Sequence, residues 1–301
     1  MKIVIIGRFG QVAWELQREL ACLGEIIVLD RHSSPYALDL ADNSSITRAI
    51  SALNPDVIVN AAAYTAVDKA EQEVELANQI NGHALAVLAE AARQCQAVLI
   101  HYSTDYVFDG CAVVPYVETH PIGPQGAYGV SKLLGEQAII DSGVDYIILR
   151  TAWVYGIRGQ NFLRTMLRLM SERDTLGIVS DQIGSPTWSR LIASATALLL
   201  AKSINNGKVH LQDKAGIYHL TCGGQTSWFG FAREIYQQAS QLGILKQTVD
   251  VKGIATAEYP TPAKRPAYSV LAGEKLQTHF GIKLPSWEQA LALSLAEYPG
   301  V

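Results

Sequence analysis

The feature that most constrains the fold is a glycine turn placed directly between an apolar segment and a helical pattern. Residues 2–6 are apolar after the initial lysine and predict a buried strand, and residues 11–23 carry apolar side chains at helical spacing. The turn between them, residues 7–13, reads GRFGQVA. Glycines there let the backbone approach a pyrophosphate at the helix N-terminus, whose free N–H groups favour anions. A tight turn that binds nothing is the alternative.

The segments after this turn alternate between short apolar runs and helical patterns. Apolar runs joined by helices predict an α/β fold in which a doubly wound parallel sheet, of Rossmann type, is covered on both faces. The predicted strands are 2–6, 26–29, 36–38, 57–59, 98–102 and 146–149, and the predicted helices are 11–23, 44–53, 82–94 and 128–140.

The alternation weakens after about residue 150, where helical patterns at 161–170, 191–201 and 229–242 are separated by turn-rich stretches. We therefore expect residues 1–150 to form a dinucleotide-binding domain. Residues 151–301 should form mainly a smaller α/β substrate lobe that shares elements with the first domain.

Composition narrows the possible partners. The net charge is −4, and no basic run is longer than Lys264-Arg265, which argues against nucleic acid as a partner. The four cysteines are far apart and lack the spacing of a zinc or redox motif, so we expect them reduced in the cytoplasm. The chain opens without a signal-peptide pattern, and its longest apolar stretch is too short for a membrane span.

An acidic residue ends the second predicted strand, at the distance from the glycine turn where a carboxylate can bind a ribose hydroxyl. This residue, Asp30, favours NADH because a carboxylate repels a 2′-phosphate. Arg31 and Arg8 can offset that repulsion, so the cofactor is NADPH or NADH. Asp39 and Leu40 end the third predicted strand and either flank the adenine or simply end that strand.

Two further segments carry groups suited to carbonyl reduction. Tyr128 and Lys132 are four residues apart on one predicted helix, so both lie on the same face. A phenol with a pKa near ~10 is a weak proton donor at neutral pH, and an ammonium beside it lowers that pKa. Ser103 and Thr104 end a predicted strand, and alternation predicts that only one of them faces the site.

Together these motifs resemble the extended short-chain dehydrogenase/reductase family, and within it the dTDP-4-dehydrorhamnose reductases, over nearly the whole chain. The stretches that carry the resemblance include GRFGQVAWELQREL (7–20), PDVIVNAAAYTAVDKAE (55–71), IHYSTDYVFDG (100–110), YGVSKLLGE (128–136) and DQIGSPT (181–187).

The resemblance implies that NAD(P)H reduces the C4 keto group of dTDP-4-dehydro-β-L-rhamnose to give dTDP-L-rhamnose. It implies that Tyr128 donates the proton, that Lys132 tunes Tyr128 and binds the cofactor, and that Thr104 polarises the carbonyl. Asp105 and Trp153 are implied to contact the substrate. The implied cofactor contacts are Gly7, Gly10, Gln11, Val12, Asp30, Asp39, Leu40, Ala63, Tyr64, Thr65, Tyr128 and Lys132.

The same residues bear on three other interpretations, of which one is disfavoured and two stay open. The triplet Thr104-Asp105-Tyr106 lacks the acid–base Glu that related 4,6-dehydratases carry, which argues against water elimination. Reduction of another nucleotide-linked keto-sugar stays open. A non-catalytic subunit similar to the regulatory subunit of methionine adenosyltransferase also stays open. The resemblance further implies a homodimer, and acids near the C-terminus, such as Glu288 and Glu297, make Mg²⁺ possible.

Overall fold

A computed structural model describes residues 1–298, so the last three residues of the predicted second domain lie outside the described part. The strands in chain order are β1 (Lys2–Ile6), β2 (Glu25–Leu29), β3 (Val57–Asn60), β4 (Val98–Thr104), β5 (Tyr146–Thr151), β6 (Val154–Tyr155), β7 (Thr175–Val179), β8 (Ile183–Gly184), β9 (Thr187–Trp188), β10 (Ile204–Asn205), β11 (Lys208–Val209), β12 (Gly216–His219), β13 (Thr226–Ser227) and β14 (Asp250–Ile254).

The helices follow the same chain order and connect most of these strands. They are α1 (Gln11–Glu19), α2 (Asn43–Leu53), α3 (Val67–Ala70), α4 (Val74–Asn78), α5 (Ala84–Gln94), α6 (Ala127–Asp141), α7 (Phe162–Glu172), α8 (Ser189–Ser203), α9 (Trp228–Gln241), α10 (Glu274–Phe280) and α11 (Trp287–Ala296). A π-helical turn, Gln79–His83, precedes α5, and a 3₁₀ turn, Asp105–Val107, follows β4.

Six parallel strands form the central sheet in the order β12-β5-β4-β3-β1-β2. The chain runs outward from β1 to β2 and then returns to place β3 on the other side of β1. This reversal opens a crevice at the carboxyl ends of β1 and β3, where doubly wound sheets bind ligands. The fold class predicted from the sequence is confirmed.

Alternating side chains of β1 point to opposite faces of the sheet. Ile3 and Ile5 pack into a core that includes residues of α1 and α8, whereas Val4 and Ile6 pack against α2 and α5. Both faces are therefore apolar and covered by helices, which explains why these strands read as continuous apolar runs.

The second half of the chain contributes to both the central sheet and a smaller α/β region. Strand β12 extends the central sheet beside β5, and α8 packs against α1. The parallel pair β7–β14 and helices α7 and α9 form the smaller region. The division near residue 150 stays a prediction. No helix within residues 1–298 is long and apolar enough to cross a bilayer.

The predicted strand at residues 36–38 is wrong. The chain from residue 31 to 41 forms turns beside β2, and the Leu38 N–H returns to the Asp30 carbonyl at 2.9 Å. Pro35 has no N–H to contribute to a ladder, and β2 stays the edge strand. Leu38, within this loop, is buried in the core that includes residues of α2 and α5, so burial rather than strand pairing accounts for the apolar residue.

Candidate active site

A cleft of about 740 Å³ opens at the carboxyl edge of the central sheet, and we call it the sheet-edge cleft. Its walls come from the glycine turn, the ends of β3, β4 and β5, and helix α6. The structure thus brings together most of the site residues that the sequence predicted. Those that line the cleft are Gly7, Gly10, Gln11, Val12, Ala63, Thr65, Thr104, Asp105, Tyr128, Lys132 and Trp153.

The glycine turn leaves room for a ligand against the backbone. Gly7 has a φ of +103°, which side chains rarely adopt, and a Cβ there would lie 3.4 Å from the Ala61 carbonyl oxygen. Gly10 caps α1 with extended backbone and makes no side-chain cap. The first N–H groups of α1 therefore face the cleft without a capping side chain, which suits a pyrophosphate.

Asp30 follows β2 next to the glycine turn, outside the residues that line the cleft. Its carboxylate pairs with Arg8 at 3.2 Å and accepts hydrogen bonds from Ser33 and the His32 N–H, each at 2.9 Å. Partial burial raises the pKa of Asp30, but these hydrogen bonds and the Arg8 charge outweigh it and lower the pKa overall. Arg8 thus neutralises part of the charge that would repel a 2′-phosphate.

Three other predicted cofactor contacts also lie outside the cleft lining. Asp39 accepts a hydrogen bond from the Ala41 N–H at 2.9 Å, and Leu40 is buried in the core beside α2. Tyr64 donates its phenol hydrogen to Glu73 at 2.5 Å, which raises the pKa of Tyr64 to about 12. Their roles toward a cofactor stay predictions.

Thr104 and Tyr128 face each other across the floor of the sheet-edge cleft. Burial raises the pKa of Tyr128 above its ordinary value, the Asp105 charge raises it further, and the nearby Thr104 hydroxyl offsets part of the rise. Tyr106 packs edge-on against Tyr128, with ring centroids 5.5 Å apart. The phenol is therefore held in its protonated form, as a proton donor requires.

Lys132 contacts the end of β4. Its Nζ lies 2.9 Å from His101 Nε2 and 2.7 Å from the Tyr102 carbonyl oxygen. Burial lowers the pKa of Lys132 to about 7, even though Glu136 acts to raise it. In this arrangement burial of the phenol dominates the pKa of Tyr128, and the tuning of Tyr128 by a Lys132 ammonium stays a prediction.

Ser103 and Thr104 both line the cleft, and both lie in β4, in register with Arg150 and Thr151 of β5. That only one of the two side chains faces the site stays a prediction. Thr104 donates to Asp105 Oδ1 at 3.0 Å, while Asp105 Oδ2 finds no hydrogen-bond partner among residues 1–298. Burial raises the pKa of Asp105 to about 6.

A second cleft of about 570 Å³ adjoins the first and is lined by α7, β7 and residues near 260. Trp228 and Arg265 line both clefts. Trp153 stacks on Trp228, with ring centroids 3.5 Å apart and an interplanar angle of 5°. Arg265 is held by Asp68 at 2.9 Å, so a guanidinium stands where the two clefts meet.

The segments of the second half that the sequence singled out differ in their positions. From residues 181–187, Gln182 lines the second cleft, whereas Asp181 accepts hydrogen bonds from Thr256 on the exposed side. Lys264 lies 3.2 Å from Gln125 and lines neither cleft.

Sequence reasoning missed the buried polar groups beneath the catalytic helix. Glu136 and Arg150 form a bidentate pair at 2.9 and 2.6 Å, with side chains 1% and 3% exposed. Glu136 stands four residues after Lys132, which stands four after Tyr128, so the i, i+4 spacing was a visible signal. His101 contacts α6 through Lys132, and Asn60 contacts His101. No spacing in the sequence indicated either contact.

Of the two acids named near the C-terminus, Glu297 pairs with an arginine. Glu297 and Glu15 both pair with Arg190. Within residues 1–298, no group of three or more His, Cys, Asp or Glu side chains is placed to hold a metal ion.

A doubly wound parallel sheet with a glycine turn, and with Thr104, Tyr128 and Lys132 at its carboxyl edge, defines the short-chain dehydrogenase/reductase class. Comparison with known proteins is more specific. The family model for the RmlD substrate binding domain matches residues 1–299, and this chain belongs to that family.

Three proteins similar to this chain carry the same enzyme name. The chain is 46% identical to the dTDP-4-dehydrorhamnose reductase of Burkholderia thailandensis, over 99% of both proteins. It superimposes on a crystal structure of a dTDP-4-dehydrorhamnose reductase from Clostridium acetobutylicum with a TM-score of 0.87 at 37% identity, over 98% of this chain and 99% of the other. The Bacillus anthracis dTDP-4-dehydrorhamnose reductase, solved in complex with NADP, gives a TM-score of 0.87 at 35% identity over the same shares.

Proposed function

We propose that this protein uses NADPH or NADH to reduce the C4 keto group of dTDP-4-dehydro-β-L-rhamnose, giving dTDP-L-rhamnose. The observation that carries the proposal is the pairing of Thr104 and Tyr128 across a cleft with a glycine turn at its other end. The full-length similarity to dTDP-4-dehydrorhamnose reductases supports the choice of substrate.

The residues present fit a dinucleotide. Gly7 and Gly10 leave the space that a Cβ would fill, and the open N-terminus of α1 suits the pyrophosphate. Gln11, Val12 and the segment Ala63–Thr65 would hold the rest of the molecule. When bound, the cofactor supplies the hydride. Asp30 beside Arg8 would meet the adenosine ribose, with Asp39 and Leu40 near the adenine.

Tyr128 supplies the proton. As the hydride arrives at C4, negative charge develops on the carbonyl oxygen, and the protonated phenol donates its hydrogen to that oxygen. Thr104 donates a hydrogen bond to the same oxygen and so polarises the carbonyl beforehand. Lys132, at the base of the cleft, binds the cofactor and sets the charge near the phenol.

The sugar and the nucleotide would occupy different clefts. Asp105 presents a buried oxygen without a partner among residues 1–298, which suits a sugar hydroxyl as donor. Trp153 would close over the sugar ring. The nucleotide would lie in the second cleft, with Arg265 between the clefts to bind the diphosphate by charge-assisted hydrogen bonds.

The test is oxidation of NADPH and of NADH, followed at 340 nm, with enzymatically generated dTDP-4-dehydro-L-rhamnose. We expect oxidation that depends on the sugar and a product that co-elutes with dTDP-L-rhamnose. Oxidation with a different keto-sugar only would reassign the substrate. A folded protein that binds NADPH, oxidises neither cofactor and captures a methionine adenosyltransferase would overturn the enzyme in favour of a regulatory subunit.

We also propose that the protein works in the cytoplasm and forms a homodimer. All four cysteines are free in the described chain, which fits a reducing compartment. Helix α11 buries Leu291 and Leu295 in the protein's own core, so that side of the helix is not the dimer surface. Sedimentation velocity at micromolar concentration tests the oligomeric state, and a monomer under those conditions would contradict it.

A further inference from the structure

A chain of three buried polar side chains lies beneath the sheet-edge cleft. Asn60 ends β3, His101 lies on β4, and Lys132 lies on α6, and their exposures are 1%, 1% and 2%. Asn60 Nδ2 is 3.1 Å from His101 Nδ1, and His101 Nε2 is 2.9 Å from Lys132 Nζ. The imidazole thus connects the end of one strand to the lysine of the active site.

The backbone fixes the direction of the first hydrogen bond. The Ala62 N–H donates to Asn60 Oδ1 at 3.2 Å, so the carboxamide oxygen points toward Ala62. Turning the carboxamide over would place its NH₂ group against that N–H, two donors facing each other. The NH₂ group of Asn60 therefore faces His101 and donates to Nδ1.

This direction decides the state of the other two groups. A neutral imidazole that accepts at Nδ1 carries its hydrogen on Nε2, so Nε2 is a donor toward Lys132. A donor at 2.9 Å needs an acceptor, and a lysine accepts only as the neutral amine. The amine keeps a hydrogen to donate to the Tyr102 carbonyl oxygen at 2.7 Å.

We propose that Asn60 and His101 are positioning residues that hold Lys132 as a neutral amine, and so as a proton acceptor, in the free protein near neutral pH. Burial agrees, since it lowers the pKa of Lys132 to about 7 and that of His101 well below its usual value. The charged group that acts on Lys132 is Glu136, which is paired with Arg150, whereas the Asp105 charge acts on Tyr128, one turn earlier on α6.

The consequence for catalysis rests on the proposed reductase function. With Lys132 neutral, Tyr128 keeps its proton but releases it reluctantly. Protonation of Lys132 would place a cation beneath the cleft and make the phenol a stronger acid. Because the pKa of Lys132 is about 7, the rate of keto-sugar reduction should fall as pH rises through that region.

The direct test is NMR of the free protein and does not depend on turnover. Labelled ¹⁵N-imidazole reports the tautomer of His101, and the His101 signal is assigned by its disappearance in His101→Gln. Labelled ¹³Cε-lysine reports the titration of Lys132, and the Lys132 signal is assigned by its disappearance in Lys132→Met. We expect the Nε2–H tautomer and a lysine midpoint several pH units below that of exposed lysines. An Nδ1–H tautomer, an imidazolium, or a lysine midpoint near 10 would overturn the proposal.

A reversal of the hydrogen-bond direction sharpens the test. Asn60→Asp places an acceptor where the NH₂ group was, so His101 should carry its hydrogen on Nδ1 and accept from a Lys132 ammonium. The lysine midpoint should rise by about one pH unit or more, because a carboxylate now lies nearby. His101→Gln, whose amide can accept from Asn60 and donate to Lys132, should keep the midpoint low. An unchanged midpoint in Asn60→Asp would contradict the proposal.

The pH profile of kcat gives the kinetic readout. The falling limb should move to higher pH in Asn60→Asp and stay close to that of the parent protein in His101→Gln and in His83→Gln, an exposed-histidine control. A purely structural role would lower kcat at every pH without moving the limb. If the protein reduces no keto-sugar, the NMR results still decide the state of Lys132, so the two proposals fail separately.

Discussion

The two clefts that meet at Arg265 are built in different ways. The sheet-edge cleft is formed by strand ends and by one helix, and its chemical groups are buried: Thr104 is 5% exposed and Lys132 is 2% exposed. The second cleft is formed by α7, β7 and loops, and Tyr259 in its wall is 60% exposed. The first cleft therefore places buried polar groups at its base, whereas the second has an exposed aromatic side chain in its wall.

This difference suits two tasks. Proton and hydride transfer need groups fixed in a region of low dielectric, where electrostatic effects are large and little rearrangement is required. Binding a nucleotide diphosphate needs contact area and a few charges, which exposed loops supply. Substitutions in the first cleft should therefore lower kcat, and substitutions in the second should mainly raise KM.

The largest expected effect on activity is in the first cleft. Tyr128→Phe removes the proton donor and keeps the ring, so kcat should fall by about 10²–10⁴-fold. Binding of NADPH, followed by fluorescence titration, should stay within about twofold because the glycine turn is untouched. A variant with nearly full kcat would remove Tyr128 from the proposed role.

The next prediction concerns the rigidity of the same region. Glu136→Gln leaves the Arg150 guanidinium buried without its counter-charge, and the free energy of unfolding should fall by about 3–5 kcal/mol. Glu172→Gln, in an exposed pair with Arg168, is the matched control and should cost about 1 kcal/mol or less. Urea denaturation measures both. Equal losses of unfolding free energy in the two variants would contradict the claim that the buried pair stabilises the region around the first cleft.

Gly184 tests how the second half places an aromatic side chain. An alanine Cβ at Gly184 would lie 2.4 Å from Trp153 Cε2, so Gly184→Ala must displace the stacked ring. We expect kcat/KM for the keto-sugar to fall by up to about 10²-fold while cofactor affinity is kept. Gly273→Ala, whose Cβ meets no atom within 4 Å, should leave kcat/KM unchanged. Full activity in Gly184→Ala would argue against sugar contact by Trp153.

The smallest effect is expected where the clefts meet. Arg265→Met removes a charge-assisted hydrogen bond to the diphosphate, worth roughly 1.5–3 kcal/mol, and should raise KM for the nucleotide sugar by about 10–100-fold with a small change in kcat. The adjacent Lys264→Met is the control, since Lys264 lines neither cleft. A loss confined to kcat would show that Arg265 acts on the chemical step instead.

The parts of the fold and site that the sequence predicted are those that local patterns determine. The glycine turn, the parallel sheet and the Tyr128–Lys132 face of α6 depend on residues close in sequence, and the structure brings them to one edge. The prediction of a strand at 36–38 was wrong because this segment is a loop that folds back to Asp30 and buries Leu38. Sequence periodicity does not reveal such a contact.

Local sequence patterns did not predict the electrostatics of the site. The contact of Lys132 with His101 joins residues 31 positions apart, and the carboxamide of Asn60 reaches the same imidazole across 41 positions. The sequence therefore predicted that Tyr128 and Lys132 share a face of α6, but it did not predict the neighbours of Lys132. The protonation state of Lys132 depends on burial and on those neighbours from other strands.

The most direct measurement is transfer of deuterium to dTDP-4-dehydro-L-rhamnose from NADPH that carries deuterium at both C4 positions of the nicotinamide, followed by NMR of the sugar product. The proposed mechanism predicts one deuterium at C4 of dTDP-L-rhamnose with the parent protein and almost none with Tyr128→Phe over the same time. Deuterium at another carbon, or no transfer by a protein shown to bind NADPH, would contradict hydride delivery to C4 in the sheet-edge cleft.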